Sequence, residues 1–117
     1  MITAVHTLIY ADDADAAREF FRDVLQWPNV DAGGGWLIFR TGPSELALHP
    51  AAGPGTQHHE IALMCDDLAA TMSDLESRGA EFTGEVDEER WGSIAYLKVP
   101  GAGQILIYQP KHPVAYE

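Results

Sequence analysis

The polar and apolar positions of the chain run through one pattern twice. His6-Thr7-Leu8-Ile9-Tyr10 is a largely apolar run closed by Asp12 and Asp13, and Glu60-Ile61-Ala62-Leu63-Met64-Cys65 is another, closed by Asp66 and Asp67. Each run has the length and side-chain chemistry of a strand, predicted over 2–10 and 59–65. Each aspartate pair predicts the start of a helix, because a carboxylate accepts the free amide hydrogens of the first turn. In the first helix, which should reach to about residue 26, Ala17, Phe20, Phe21, Val24 and Leu25 recur at helical spacing and form one apolar stripe. Arg18, Glu19, Arg22 and Asp23 lie mostly off that stripe. Trp27-Pro28 predicts its end, since the residue before proline disfavours helical geometry. The second helix begins near Asp67, carries Leu68, Met72 and Leu75 on one face, and should stop at Gly79, which tolerates the left-handed conformation.

The remaining elements alternate with turn residues. Gly33-Gly34-Gly35 predicts a turn, Trp36 to Arg40 a strand, Gly42-Pro43-Ser44 a turn, and Glu45 to His49 the last strand of the first half. Pro50 through Gln57, with two prolines and two glycines, reads as a linker. Strands then follow over 81–86, 94–99 and 104–108, and Lys111 to Glu117 carries little pattern. Both halves close on an apolar run ended by proline, Glu45 to Pro50 and Gln104 to Pro110. A repeat of this length predicts two copies of one supersecondary unit, about 1–50 and 58–110, within a single domain of 117 residues.

Charge narrows the partners. Seven Lys and Arg against eighteen Asp and Glu give a formal charge of −11. Nucleic-acid backbones and anionic membranes both require a basic surface, so neither is expected as a partner. No apolar run approaches the roughly 20 residues of a membrane span. Met1 to Val5 reads as the start of the first strand and lacks the basic region of a signal peptide. The single cysteine, Cys65, cannot form an internal disulfide, which fits a cytoplasmic protein. In an apolar strand it reads as a small core residue, with no base placed beside it by any motif. Gly33-Gly34-Gly35 opens no helix and is not a phosphate loop, and no serine-nucleophile motif occurs.

The order strand, helix, then strands, in both halves, resembles the vicinal oxygen chelate superfamily, which includes glyoxalase I, bleomycin-resistance proteins, extradiol dioxygenases and fosfomycin-resistance enzymes. The resemblance covers essentially the whole chain. Its carriers are Val5-His6-Thr7-Leu8, the helix end Phe20-Phe21-Arg22-Asp23-Val24-Leu25, His59-Glu60-Ile61-Ala62-Leu63, and Pro100-Gly101-Ala102-Gly103. It implies an α+β fold in which two βαβββ modules form a curled, cup-like mixed sheet with helices on the convex side. It also implies metal positions on the first and last strand of each half. His6 matches the first, and the repeat sets Glu60 opposite it. The last strands equate Ala47 with Leu106, which cannot coordinate an ion where relatives place glutamate. Strand alternation puts His49 on the face of Ala47 and Tyr108 on the face of Leu106. A displaced set of His6, His49 and Glu60 would supply the two histidines and one carboxylate that suit Zn, Ni, Fe or Mn. Tyr10 and Trp36, with Ala47 and Leu106, would line the pocket.

Two functions follow from the resemblance. In the first, a divalent metal holds a small oxygen-rich substrate for lyase or dioxygenase-like chemistry, with Glu60 as ligand or general base and Tyr108 orienting substrate or donating a proton. In the second, a metal-free cup sequesters a small (cationic) antibiotic or metabolite, as in the bleomycin-resistance branch; the missing ligands and the acidity favour it. Relatives of this length imply a homodimer, with the cup formed within one chain or across two.

Overall fold

The computed structural model describes residues 6–116. The chain is α+β. Helix α1 spans Ala14–Glu19 and continues as a wider π-helical turn, Phe20–Val24. Strands β1 (Asn29–Asp31) and β2 (Leu37–Phe39) follow, then β3 (Ala62–Met64), α2 (Leu68–Ser77), β4 (Phe82–Glu88), β5 (Gly92–Lys98) and β6 (Gln104–Pro110). The aspartates act as expected. Asp13 accepts a hydrogen bond from the Ala16 amide at 3.0 Å, and Asp67 accepts one from the Ala70 amide at 3.0 Å. Gly79 follows α2 with φ +93°, the left-handed conformation foreseen for a helix stop. No helix among the described residues is long and apolar enough to cross a membrane.

The second half is a complete βαβββ unit. Its four strands lie in the order β3-β6-β5-β4, with β3 parallel to β6 and the other pairs antiparallel. Register decides which face each side chain takes. Leu63 lies beside Ile107, Ala95 beside Ile107, and Leu97 beside Ile105. These residues face the helices, where Phe20, Phe21, Leu68 and Leu75 join them in one core, and Leu97 is completely buried. The apolar stripe of the first helix is what packs here: Ala17, Phe20 and Phe21 are buried, and Val24 and Leu25 pack at the edge of the core.

The first half departs from expectation. β1 and β2 form a separate two-stranded antiparallel ribbon, and Asn29–Asp31 had no strand signal, being three residues with one apolar side chain. Of the strand expected over 2–10, residues 2–5 lie outside the described residues, and 6–10 are not a strand. Glu45 to His49 is not a strand either. A strand exists only through hydrogen bonds to a neighbouring backbone, and among the described residues neither 6–10 nor 45–49 has such a neighbour. Their apolar side chains stand in solvent accordingly, with Tyr10 and Leu48 each 92% exposed. The first helix ends at Val24, ahead of Trp27-Pro28 as expected and two residues short of 26. Its last turn widens so that the Leu25 amide bonds the Phe20 carbonyl at 3.1 Å, and Gln26 takes a left-handed φ of +61°.

Candidate functional site

The face of the four-stranded sheet turned away from the helices carries a cluster of aromatic and polar side chains. Met64 and Ile94 both lie directly across from Tyr108, so the three share that face, and Ala62, Leu106 and Tyr96 share it one pair along. Leu106 and Tyr108 therefore project together, as alternation required. Tyr108 is the centre of the group. Its hydroxyl donates to Glu45 Oε1 at 3.3 Å and lies 3.4 Å from His112 Nε2. The other carboxylate oxygen, Glu45 Oε2, accepts from the Ala115 amide at 3.0 Å. Trp91 meets the Tyr108 ring edge-on, with centroids 5.1 Å apart at 78°, and the His112 ring lies 6.1 Å away. Gly92 makes room for this arrangement. A β-carbon there would sit 2.9 Å from the Tyr108 ring and 2.8 Å from the Gln109 carbonyl oxygen.

Burial, then the negative charge of Glu45 and the hydrogen bond to it, raises the Tyr108 phenol above its ordinary value. The fold thus favours the neutral phenol. That contribution to stability is whole below the unfolded value of about 10 and is lost as pH rises through the folded one. Glu45→Gln is expected to move the ionisation of Tyr108 back toward ordinary tyrosine in a near-ultraviolet tyrosinate titration. An unaltered titration would show that Glu45 does not act on Tyr108.

The other residues named from sequence are dispersed. His6 is exposed. His49 is exposed, with Nδ1 2.8 Å from the Pro50 carbonyl oxygen. Glu60 is exposed, and its Oε1 lies 3.1 Å from His58 Nε2. The Thr56 carbonyl at His58 Nδ1, followed by Glu60, raises the His58 imidazole. Tyr10 is 92% and Trp36 48% exposed, and Ala47 lies in the exposed segment 46–49. Among the described residues no three His, Cys, Asp or Glu side chains converge as a metal site would need. His6, His49 and Glu60 therefore do not form a joint donor set in this conformation. Cys65 is half-buried, its thiol raised chiefly by that burial.

Sequence reasoning passed over Glu45 and His112. Glu45 stands two residues before Ala47, so the expected strand would have set it on the face of Ala47 and His49; the segment is not a strand, and Glu45 reaches Tyr108 without that alternation. His112 lies in the patternless tail, where nothing but the folded chain brings it to Tyr108.

The family model for the Glyoxalase/Bleomycin resistance protein/Dioxygenase superfamily matches residues 3–110. An uncharacterised protein of Bacillus subtilis (strain 168), YetH, is 25% identical over 109 residues, covering 84% of this chain and 91% of its own. Among solved structures, TnmS3, an antibiotic-binding protein from Streptomyces sp. CB03234, aligns with a TM-score of 0.64 at 22% identity, covering 94% of this chain and 98% of its own. Lactoylglutathione lyase from Agrobacterium tumefaciens aligns with a TM-score of 0.60 at 23% identity, covering 92% and 94%. At these identities the two structures speak to fold alone.

Proposed function

Because the chain belongs to the glyoxalase/bleomycin resistance protein/dioxygenase superfamily, we propose that it is a cytoplasmic small-molecule-binding protein that holds its ligand on the helix-free face of the sheet without needing a metal. The observation that carries this reading is the half-buried Tyr108–Glu45 pair beside the exposed ring of Trp91. Small-molecule sites combine aromatic walls with a few placed polar groups. That TnmS3 shares the fold and binds an antibiotic is consistent with it. Tyr108 orients the ligand through its hydroxyl, and Leu106 supplies apolar wall.

A second reading follows from the shared fold of the Agrobacterium lyase. There His6, His49 and Glu60 come together around one divalent ion, Zn, Ni, Fe or Mn, when residues 6–10 and 45–49 take up strand pairing, and Glu60 serves as ligand or base. One experiment separates the two. Purified full-length protein is analysed for metal, and its melting temperature is followed with divalent ions and with a library of small aromatic compounds. Compounds that raise the melting temperature by mass action, with no dependence on added ion, support the binder. An equivalent of metal that His6→Ala and Glu60→Ala each remove would overturn it in favour of the enzyme.

We propose further that the protein is a homodimer. The two edges of the four-stranded sheet differ. β4 is guarded by Glu85, Asp87 and Glu88 and by an irregular register between Thr83 and Asp87. β3 and its flanks, Ile61 to Cys65, carry no charge. Natural edges that stay single are blunted in the way β4 is, so the β3 edge is the one suited to pairing with the strand-patterned segments of a second copy.

A further inference from the structure

The Glu45 carboxylate is half-buried, and its neighbours are neutral donors: the Tyr108 hydroxyl and the Ala115 amide. The ion pairs among the described residues join Arg18 to Asp15, Arg22 to Asp23, His58 to Glu60, Arg78 to Asp74, Lys98 to Glu81 and Lys111 to Glu88. None of them reaches Glu45. A carboxylate has about four acceptor sites, and two here are filled. Among the described residues the carboxylate therefore keeps acceptor positions and a charge that no ion pair uses, and a bound cation would take them up in charge-assisted hydrogen bonds. On the ring of its partner Tyr108 stands Trp91, 43% exposed although it is a large aromatic and packed edge-on there. Faces of Trp and Tyr attract cations and cover apolar ligand surface.

We infer that Glu45 is the specificity-determining residue of the site, and that its ligand class is an aryl- or alkyl-ammonium, the protonated amine against Glu45 and the apolar body over Trp91 and Tyr108. This rests on the small-molecule reading above. It assigns to a named carboxylate the preference that the overall charge of −11 supports only diffusely. The same carboxylate explains why Tyr108 accompanies it: the phenol donates to one oxygen and leaves the remaining acceptor positions to the ligand.

The test uses the full-length chain and three probes of one shape, 2-phenylethylammonium, 2-phenylethanol and phenylacetate, in NMR titrations that follow the Trp91 indole N–H. The cation should bind at least about tenfold tighter than the alcohol, the ordinary worth of a charge-assisted hydrogen bond, and the anion weakest. Glu45→Gln should abolish the preference and keep alcohol binding. Glu45→Asp should keep the preference. If cation and alcohol bind alike and Glu45→Gln changes neither, the inference fails and the small-molecule reading stands, with Glu45 only fastening the C-terminal segment. If no probe perturbs any residue of the helix-free face, both fail. Should Glu45→Gln not fold, the wild-type salt dependence decides: the cation's advantage must shrink with ionic strength while alcohol affinity holds, and an advantage insensitive to salt overturns the inference.

Discussion

Phe21→Ala is expected to lower stability by about 3–5 kcal/mol, the cost of deleting a buried aromatic side chain and leaving a cavity. Phe21 is 8% exposed and sits where three aromatic residues meet it. Its ring centroid lies 5.2 Å from Trp27, 5.7 Å from Phe39 and 6.1 Å from Phe20. Edge-on and tilted pairs of this kind add about 0.5–1.5 kcal/mol each beyond area, so collapse of neighbours cannot replace what is lost. The position also joins layers. Phe20 and Phe21 come from the π-helical turn, Phe39 from β2, and the core they enter belongs to β5 and β6. Urea denaturation of the variant beside wild type measures the loss as a shift of midpoint at unchanged slope. Leu48→Ala, at a side chain 92% exposed, is the control and should move stability by less than about 0.5 kcal/mol. A loss below about 1 kcal/mol at Phe21 would mean that the site repacks, and that the stripe is not what holds α1 to the sheet.

That stripe was legible because helical periodicity is a local property. Ala17, Phe20, Phe21, Val24 and Leu25 declare one buried face whatever lies across from it. The caps Asp13 and Asp67 and the stop at Gly79 were legible for the same reason, each being chemistry within a few residues of the helix end. The widened turn at Phe20–Val24 was not. It reconciles two adjacent aromatics with one core, and that demand comes from the packing partner. Strand signals behave differently again. Ile61 to Cys65 and Leu46 to Leu48 look alike as sequence, yet among the described residues only the first lies beside another backbone, because β6 is there to receive Ala62–Met64. A pattern of alternation states that a segment is suited to pairing; it does not provide the neighbour. The site divides along the same line. Tyr108 and Leu106 followed from alternation within one strand. The meeting of Tyr108 with Glu45 and His112 spans separations of 63 and 4 residues, and the longer of these depends on the path of the whole chain.

Gly101→Ala should cost at least about 2 kcal/mol, more than its apparent twin Gly103→Ala. Both glycines lie in the turn between β5 and β6 with left-handed φ, +74° at Gly101 and +75° at Gly103. An alanine in that conformation costs about 1–2 kcal/mol by itself, so this part of the penalty is common to the pair. Their surroundings differ. A β-carbon at Gly103 would meet nothing within 4 Å, whereas at Gly101 it would strike the Asp13 carbonyl oxygen and lie 2.6 Å from the Asp13 β-carbon. Asp13 cannot easily retreat. Its amide donates to the Gly101 carbonyl at 2.9 Å, and its side chain caps α1 through the Ala16 amide at 3.0 Å. Moving it weakens the cap, itself worth about 1 kcal/mol, and separates the start of α1 from the turn. The excess of Gly101→Ala over Gly103→Ala in denaturant unfolding therefore measures the contact alone, with backbone strain cancelled. Amide exchange should quicken through Ala14–Glu19 in the first variant and stay unchanged in the second. Equal costs, with exchange in α1 unaffected, would mean that the turn and the helix cap are independent, and that the first helix is held by its aromatic stripe without help from Asp13.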